Sequence, residues 1–262
     1  GDKATIWTEG DESFAVYGRE NAEILCSRDN FWRNSLHGLN RHNVDMYNVV
    51  FDTTDEIVRY IKSMSLYCVE REGKYINFPP VVLSKYFSSD WIKGEYFDGN
   101  RYREITFHPE ISDLQYLRSF KFEDLTFRGT VEFRSVCEQP VGEIMASGAL
   151  HAGLMENIGQ LSEILEKDTS IYHNGYNASE LRRMFNRRRK ADIFDWKKVS
   201  TQFLSILELA ENGLKKRGYG EEHFLKPLYG RAEKLLSPGR QMAEGMENGK
   251  TLEDYIEEYG GM

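Results

Sequence analysis

The hydrophobic pattern of this chain changes at Pro140, and that change limits the folds available to it. Before Pro140, short β-rich runs alternate with turn-forming residues, which predicts strands. After Pro140, apolar residues recur at helical spacing. The pattern is typical of an α+β protein, with an antiparallel sheet, helices on one side and a C-terminal helical cluster. We therefore expect a mostly β part over 1–140 and a helical part over 141–262, within one domain.

The last predicted strand, within 126–140, has two chemically different faces. One face carries Arg128, Thr130, Glu132 and Arg134, and the other carries Phe127, Val131 and Phe133. The helix after Pro140 is expected to cover the apolar face. Glu132 and Arg134 project side by side, a geometry suited to holding a divalent cation against a phosphate. The alternative is an exposed strand with a cross-strand ion pair.

The residues of this strand carry a family resemblance. GTVEFRSVCEQP, at 129–140, resembles the Glu-x-Arg strand of the glutamate cysteine ligases, also called γ-glutamylcysteine synthetases. Three further stretches point to the same family: FWRNSLHGLNRHNVDMY at 31–47, YLRSFKFEDLTFRG at 116–129 and ELAENGLKKRGYGEEHFLKPL at 208–228. Together these stretches span most of the chain.

The resemblance implies a partial glutamine-synthetase-like ligase sheet and a cytoplasmic enzyme of glutathione biosynthesis. It implies ATP-dependent joining of the γ-carboxylate of glutamate to the amine of cysteine, with ATP and Mg²⁺ as cofactors. Glu132 would be a magnesium ligand, and Arg134 would be the catalytic, nucleotide-binding residue that meets the phosphate. Cys137 would be a small residue beside the site rather than a nucleophile.

The chain departs from the family in two respects. The family commonly has aspartate where this chain has Cys137, and its members are longer, with N-terminal acidic strands that bind most of the metal. The resemblance therefore covers a C-terminal half, and Gly1 in place of methionine suggests a trimmed or processed chain. An N-terminal half or a second chain is the expected partner. The alternative function is a non-catalytic binding module that keeps the ligase fold, since one carboxylate cannot fill the coordination of several magnesium ions.

Composition excludes some classes of binding partner. A formal net charge of −8 argues against a general surface for nucleic acid or anionic membrane, because such surfaces need an excess of lysine and arginine. No apolar run is long enough to span a membrane, and no signal peptide is visible at the start. The 3 cysteines lack CxxC spacing, which favours a reducing compartment over a disulfide framework or zinc site.

Several elements are predicted before the central strand. Residues 4–7 and 14–17 predict a hairpin, and 19–35 carry a weak helical stripe. Thr54 is the predicted N-cap of a helix reaching Met64. A second hairpin is expected to end at Pro79 and Pro80, with a short helix within 81–91, a turn at 94–100, a strand at 102–108 and a short helix at 111–120. His37 and His42 are interpreted as polar loop residues or pocket-lining residues, rather than metal ligands.

The helical part carries three further features. Small residues between Ala146 and Gly153 leave room for close approach of another element. A capping box from Asn177 to Glu180 predicts a helix running through the basic residues up to Lys190, which form a solvated face or a phosphate or partner contact. Asp195 begins a long helix ending near Gly213 or Gly218, and two more helices are predicted over 221–236 and 251–259.

Overall fold

The computed structural model describes residues 32–121, 123–125, 130–133, 139–187 and 189–260. These residues divide into an N-terminal unit within Asp29–Ser135 and a C-terminal unit beyond it. The described strands lie in the N-terminal unit and most of the described helices lie in the C-terminal unit. The predicted α+β class is therefore confirmed. The hairpin predicted at 4–7 and 14–17, and most of the helical stripe over 19–35, lie outside the described residues.

The described residues of the N-terminal unit form one four-stranded sheet and two short strand pairs. Its strands are β1 (Val44–Asp45), β2 (Ser65–Arg71), β3 (Lys74–Val82), β4 (Ile92–Phe97), β5 (Tyr102–Phe107), β6 (Phe120–Lys121), β7 (Glu123–Leu125) and β8 (Val131–Phe133). Strands β2 to β5 form an antiparallel sheet in sequence order. Strand β1 pairs with β6 in parallel, and β7 pairs with β8 antiparallel. The predicted β2–β3 hairpin and strand β5 are confirmed, whereas the turn predicted at 94–100 is largely strand β4.

The β2–β3 hairpin turns at Glu72 and Gly73, both of which have positive φ, 52° and 74°. Two such residues in succession form the turn type whose twist matches that of paired strands. The prediction that Pro79 and Pro80 end the hairpin is wrong, because β3 continues to Val82. The register shifts between Leu66 and Cys68, so both prolines lie in a bulge where the ladder needs no backbone N–H.

The core of the N-terminal unit forms on one face of the sheet. Its buried residues are Leu66, Val69, Ile76, Phe78, Leu83, Tyr86, Ile92 and Phe107. Helix α2 (Leu83–Tyr86) supplies two of them, which confirms the short helix expected between 81 and 91. The helix predicted at 111–120 is a 3₁₀ turn, Ile111–Tyr116.

A buried ion pair fixes the 3₁₀ turn to the sheet. The Asp113 carboxylate is fully buried and accepts hydrogen bonds from Arg71 at 2.6 and 2.8 Å and from the Tyr86 hydroxyl at 2.7 Å. Burial alone would raise the pKa of Asp113, but these bonds and the Glu110 N–H outweigh it and hold that pKa below its usual value. The same carboxylate, together with burial, raises the pKa of Tyr86.

Helix α1 (Thr54–Ser63) begins one residue earlier than predicted. Thr53, not Thr54, is the N-cap, because Glu56 stands three residues after Thr53 and completes a capping box. The Glu56 carboxylate accepts the N–H groups of Thr53 and Asp52 at 3.1 and 2.8 Å. The apolar residues of this region are unequally buried, since Met64 is 3% exposed but Ile61 is 39% exposed.

The regular elements of the described part of the C-terminal unit are helices. Its helices are α3 (Met145–Glu156), α4 (Ile158–Lys167), α5 (Ala178–Phe185), α6 (Trp196–Arg217), α7 (Lys226–Lys234), α8 (Pro238–Glu247) and α9 (Leu252–Gly260), with 3₁₀ turns at Val141–Glu143 and Glu221–Leu225. The long helix begins at the Asp195 N-cap and ends at Gly218, as predicted. Helix α8 was not predicted, because SPG at 237–239 favours a turn between the helices predicted over 221–236 and 251–259. Ser237 is instead its N-cap, and Pro238 takes the first helical position, where proline needs no donor.

The small residues of α3 allow a close crossing with α6. A Cβ atom placed on Gly153 would lie 2.1 Å from the Ala210 carbonyl oxygen, and one on Gly213 would lie 2.0 Å from the Gly153 carbonyl oxygen. The two backbones are therefore in direct contact, which confirms the predicted close approach. Ala149, Ala210, Leu214 and Leu225 form the buried core at this crossing.

The basic segment is not a continuous helix. The Asn177–Glu180 capping box is present, but α5 ends at Phe185 and Asn186 is its C-cap. Arg187, Arg189 and Lys190 therefore follow the helix rather than continue it, and Arg188 lies outside the described residues. Among the described residues, no helix combines the length and apolar character needed to cross a bilayer.

Candidate functional site

The β1–β6 pair joins two stretches that carry the family resemblance, 31–47 and 116–129. Val44 lies opposite Phe120, and Asp45 lies opposite Lys121. Asp45 has a positive φ of 74°, which is unusual for a residue with a side chain. Its buried carboxylate contacts Arg33 at 3.1 Å and accepts the Met46 N–H at 3.0 Å. A charge pair holds this backbone conformation in place, and such conformations concentrate at functional sites.

Lys121 is a buried cation beside this ion pair, with 1% of its surface exposed. Its ammonium donates to the carbonyl oxygen of Val44 at 2.7 Å, and the Met46 carbonyl oxygen lies 3.4 Å away. The rings of Tyr47 and Tyr60 lie 5.0 and 5.2 Å from the same nitrogen, within cation–π distance. Lys121 therefore ties the chain after β1 to β6 and to helix α1.

His37 belongs to an aromatic cluster on the other side of β6. Its Nδ1 is hydrogen-bonded to the Tyr67 hydroxyl, and its ring lies 4.4 Å from the ring of Phe120. Trp32 stacks on Phe120 at 3.9 Å. Burial lowers the pKa of His37 and raises the pKa of Tyr67 to about 12. At neutral pH the pair is therefore an uncharged imidazole and a protonated phenol.

His42 has a different set of contacts. Its Nδ1 is hydrogen-bonded to Ser63 Oγ, and its ring lies 5.0 Å from the ring of Tyr60. In the described ranges, no set of three histidine, cysteine, aspartate or glutamate residues is placed to hold a metal ion. The structure thus gives both histidines aromatic and hydroxyl partners.

The β7–β8 ribbon carries Glu132, the predicted magnesium ligand. Glu132 is exposed on β8, whereas Arg134 and Cys137 lie outside the described residues. The register places Asp124 opposite Glu132, Glu123 opposite Phe133 and Leu125 opposite Val131. Two acidic residues therefore occupy facing positions in the ribbon. Sequence reasoning missed Asp124, although FEDL followed by TVEF could have been recognised as a hairpin.

The apolar residues of β8 are not covered as predicted. Val131 is 58% exposed and Phe133 is 45% exposed, so the expectation that a helix buries this face is wrong. A two-stranded ribbon with few residues has little apolar surface to bury and is marginal by itself.

The chain matches no family model, and no curated protein matches it in sequence.

Proposed function

We propose that this chain is a C-terminal portion of an ATP-dependent carboxylate–amine ligase that joins glutamate, through its γ-carboxylate, to cysteine. The proposal includes membership of the glutamate cysteine ligase family and a place for the β7–β8 ribbon in a glutamine-synthetase-like sheet. One observation supports it most: two stretches that carry the resemblance pair as β1 and β6, and β6 is followed in the chain by the ribbon that holds Glu132.

The chemistry asks for groups that stabilise negative charge on oxygen. An oxygen of the γ-carboxylate attacks the γ-phosphorus of ATP, and ADP leaves. The amine nitrogen then attacks the acyl carbon, phosphate leaves, and the nitrogen loses a proton. Arg134 is proposed to donate paired hydrogen bonds to the transferred phosphate, which a guanidinium can do in bidentate fashion. No step requires Cys137 as a nucleophile.

Glu132 has the donor chemistry for magnesium, since it is an exposed residue with a carboxylate side chain. A magnesium ion held there would neutralise phosphate charge during transfer. Its facing position in the ribbon makes Asp124 the proposed second acidic residue. Mg²⁺ usually takes one or two protein carboxylates and completes its shell with water and phosphate oxygens. The pair therefore suits one such ion, and further ions would need carboxylates from a partner segment.

The second candidate is a non-catalytic module that keeps the ligase fold, since one facing pair of acidic residues cannot fill the coordination of several magnesium ions. Phosphate release separates the two candidates. With ATP, magnesium, glutamate and cysteine, the 262-residue chain should release little phosphate, whereas a longer product with upstream acidic strands should be active. If the longer product releases no phosphate that depends on both glutamate and cysteine, the ligase proposal is refuted.

Two variants of the longer product test the named roles. Arg134→Lys should lower turnover strongly, because an ammonium cannot form the bidentate contact. Glu132→Gln should raise the magnesium concentration needed for half-maximal rate, because a charged ligand becomes neutral. Equal turnover in wild type and Arg134→Lys would show that the Arg134 guanidinium is not needed for the reaction.

Metal binding can be measured on the 262-residue chain itself, with Mn²⁺ and ATP followed by electron paramagnetic resonance. Asp124→Asn and Glu132→Gln should each weaken Mn²⁺ binding. Glu123→Gln is the matched control, because Glu123 carries the same charge but stands opposite Phe133. Equal weakening by Glu123→Gln would show a general charge effect and reject the facing pair.

A further inference from the structure

The C-terminal unit contains an apolar cavity of about 390 Å³. It lies among the end of α5, helices α6 and α7, and the turn before α8. The side chains that form most of its wall include Phe185, Trp196, Phe203, Ile206, Leu228 and Leu235. This volume falls in the range of small-molecule sites, which are mostly apolar with a few polar groups at defined positions.

Aromatic rings form a fixed wall on one side of the cavity. Phe185 lies 5.6 Å from Trp196 and 6.3 Å from Phe203 between ring centroids. The Trp196 indole N–H donates to the Ala191 carbonyl oxygen at 2.9 Å, which sets the plane of the ring. Because its N–H is already engaged, the indole offers ring carbon to the cavity. The wall is therefore suited to an apolar body.

The polar residues of the wall are engaged with one another. Arg231 donates to Gln139 and to the Glu143 carboxylate, so its charge is balanced. Arg240 donates to the carbonyl oxygens of Arg187 at 2.8 Å and Phe185 at 3.3 Å. These contacts cap the end of α5 and leave the interior dominated by carbon. A charged group on a ligand would consequently be placed at the rim.

The basic segment that follows α5 contacts two residues of the cavity wall, Trp196 and Arg240. The Lys190 ammonium stands 5.8 Å from the centroid of the Trp196 ring, whose surface also lines the cavity. The Arg187 side chain is exposed, while its carbonyl oxygen binds the wall residue Arg240. Nearby acids have partners, since Asp192 contacts Arg189 at 3.2 Å and Asp195 accepts the first N–H groups of α6. The local balance favours an anion.

We infer that this cavity binds a small amphipathic anion, with its apolar body against the aromatic wall and its anionic group beside Lys190. The inference is independent of the ligase proposal, because it uses no residue of β8. It also assigns a role to the basic residues after α5, which the proposed ligase chemistry does not use.

Two fluorescent probes with the same aromatic body test both halves of the inference on the 262-residue chain. 1-Anilinonaphthalene-8-sulfonate carries an anionic group, and N-phenyl-1-naphthylamine lacks it. The sulfonate should bind more tightly by up to about fivefold, the upper size expected of one partly exposed charge contact. Equal affinity would overturn the anionic assignment.

Variants locate the binding site. Ala232→Phe places a ring in the cavity and should raise the Kd of both probes by about tenfold or more. Lys190→Gln should weaken binding of the sulfonate alone. Lys197→Gln is the matched control, because Lys197 is an exposed lysine of the same region, whereas Lys190 stands over the Trp196 ring of the cavity wall. If neither Ala232→Phe nor Lys190→Gln changes affinity, the probes bind elsewhere and the inference is wrong.

Hydrogen exchange supplies a second measurement that does not depend on any variant folding. Binding of the sulfonate should protect peptides from α6 and α7 and the turn at 235–237. Circular dichroism melts establish that each variant keeps its helices. Protection confined to other segments would also overturn the inference.

Discussion

The crossing of α3 and α6 predicts the effect of a single methyl group. In Gly153→Ala the new Cβ would lie 2.1 Å from the Ala210 carbonyl oxygen and 2.7 Å from its carbon. Both are backbone atoms, so no side-chain rotation relieves the contact. The helices must move apart, and that movement disturbs the packing around Ala149 and Leu214.

The expected change in the free energy of unfolding follows from two opposing effects. Alanine is favoured over glycine inside a helix by about 1 kcal/mol. Overpacking of a tight core contact costs about 1–3 kcal/mol, and a shift of two backbones belongs at the upper end or beyond it. We therefore expect Gly153→Ala to lower the free energy of unfolding by about 1–2 kcal/mol.

Gly148 supplies the control within the same helix, because a Cβ there meets nothing within 4 Å. Gly148→Ala should raise the free energy of unfolding by about 0.5–1 kcal/mol. Urea denaturation followed by circular dichroism at 222 nm measures both variants. Hydrogen exchange of Met145–Glu156 and Trp196–Arg217 shows whether the loss is local to the crossing.

The two glycines should therefore respond with opposite signs. If Gly153→Ala is as stable as Gly148→Ala, the backbones do not touch and the reasoning fails. Faster exchange spread over the whole unit, without enrichment in these two helices, would also contradict it.

Two further predictions concern titrating groups of the N-terminal unit. The lowered native pKa of Asp113 means that its contribution to stability is fully present above about pH 4 and is lost as the pH falls through the native value. Asp113→Asn should lower the free energy of unfolding by about 3–5 kcal/mol at neutral pH. It should also make acid unfolding, followed by circular dichroism, less steep with pH, and an unchanged acid transition would refute this. In ultraviolet titration Tyr67 should ionise near pH 12, so Tyr67→Phe should remove absorbance only from the high-pH end, and a loss near pH 10 would contradict the burial argument.

The sequence by itself determined the features that depend on neighbouring residues. The hairpin at Glu72 and Gly73, the capping box at Asn177 and the long helix from Asp195 are local, because the residues that form them lie within a few positions. The predictions that proved wrong also came from rules about neighbouring residues. Pro79 and Pro80 were interpreted by their usual effect on strands, and Pro238 by its usual effect in turns.

Only the tertiary structure decided which distant residues meet. The pairing of Asp45 with Lys121 joins positions 76 residues apart, and no periodic pattern encodes it. The facing of Asp124 and Glu132 depends on strand register, which a shift of one residue would abolish. The cavity beside Trp196 likewise exists because three helices and a turn leave a volume between them. Long-range packing sets each of these features, so the sequence could supply the residues but not their arrangement.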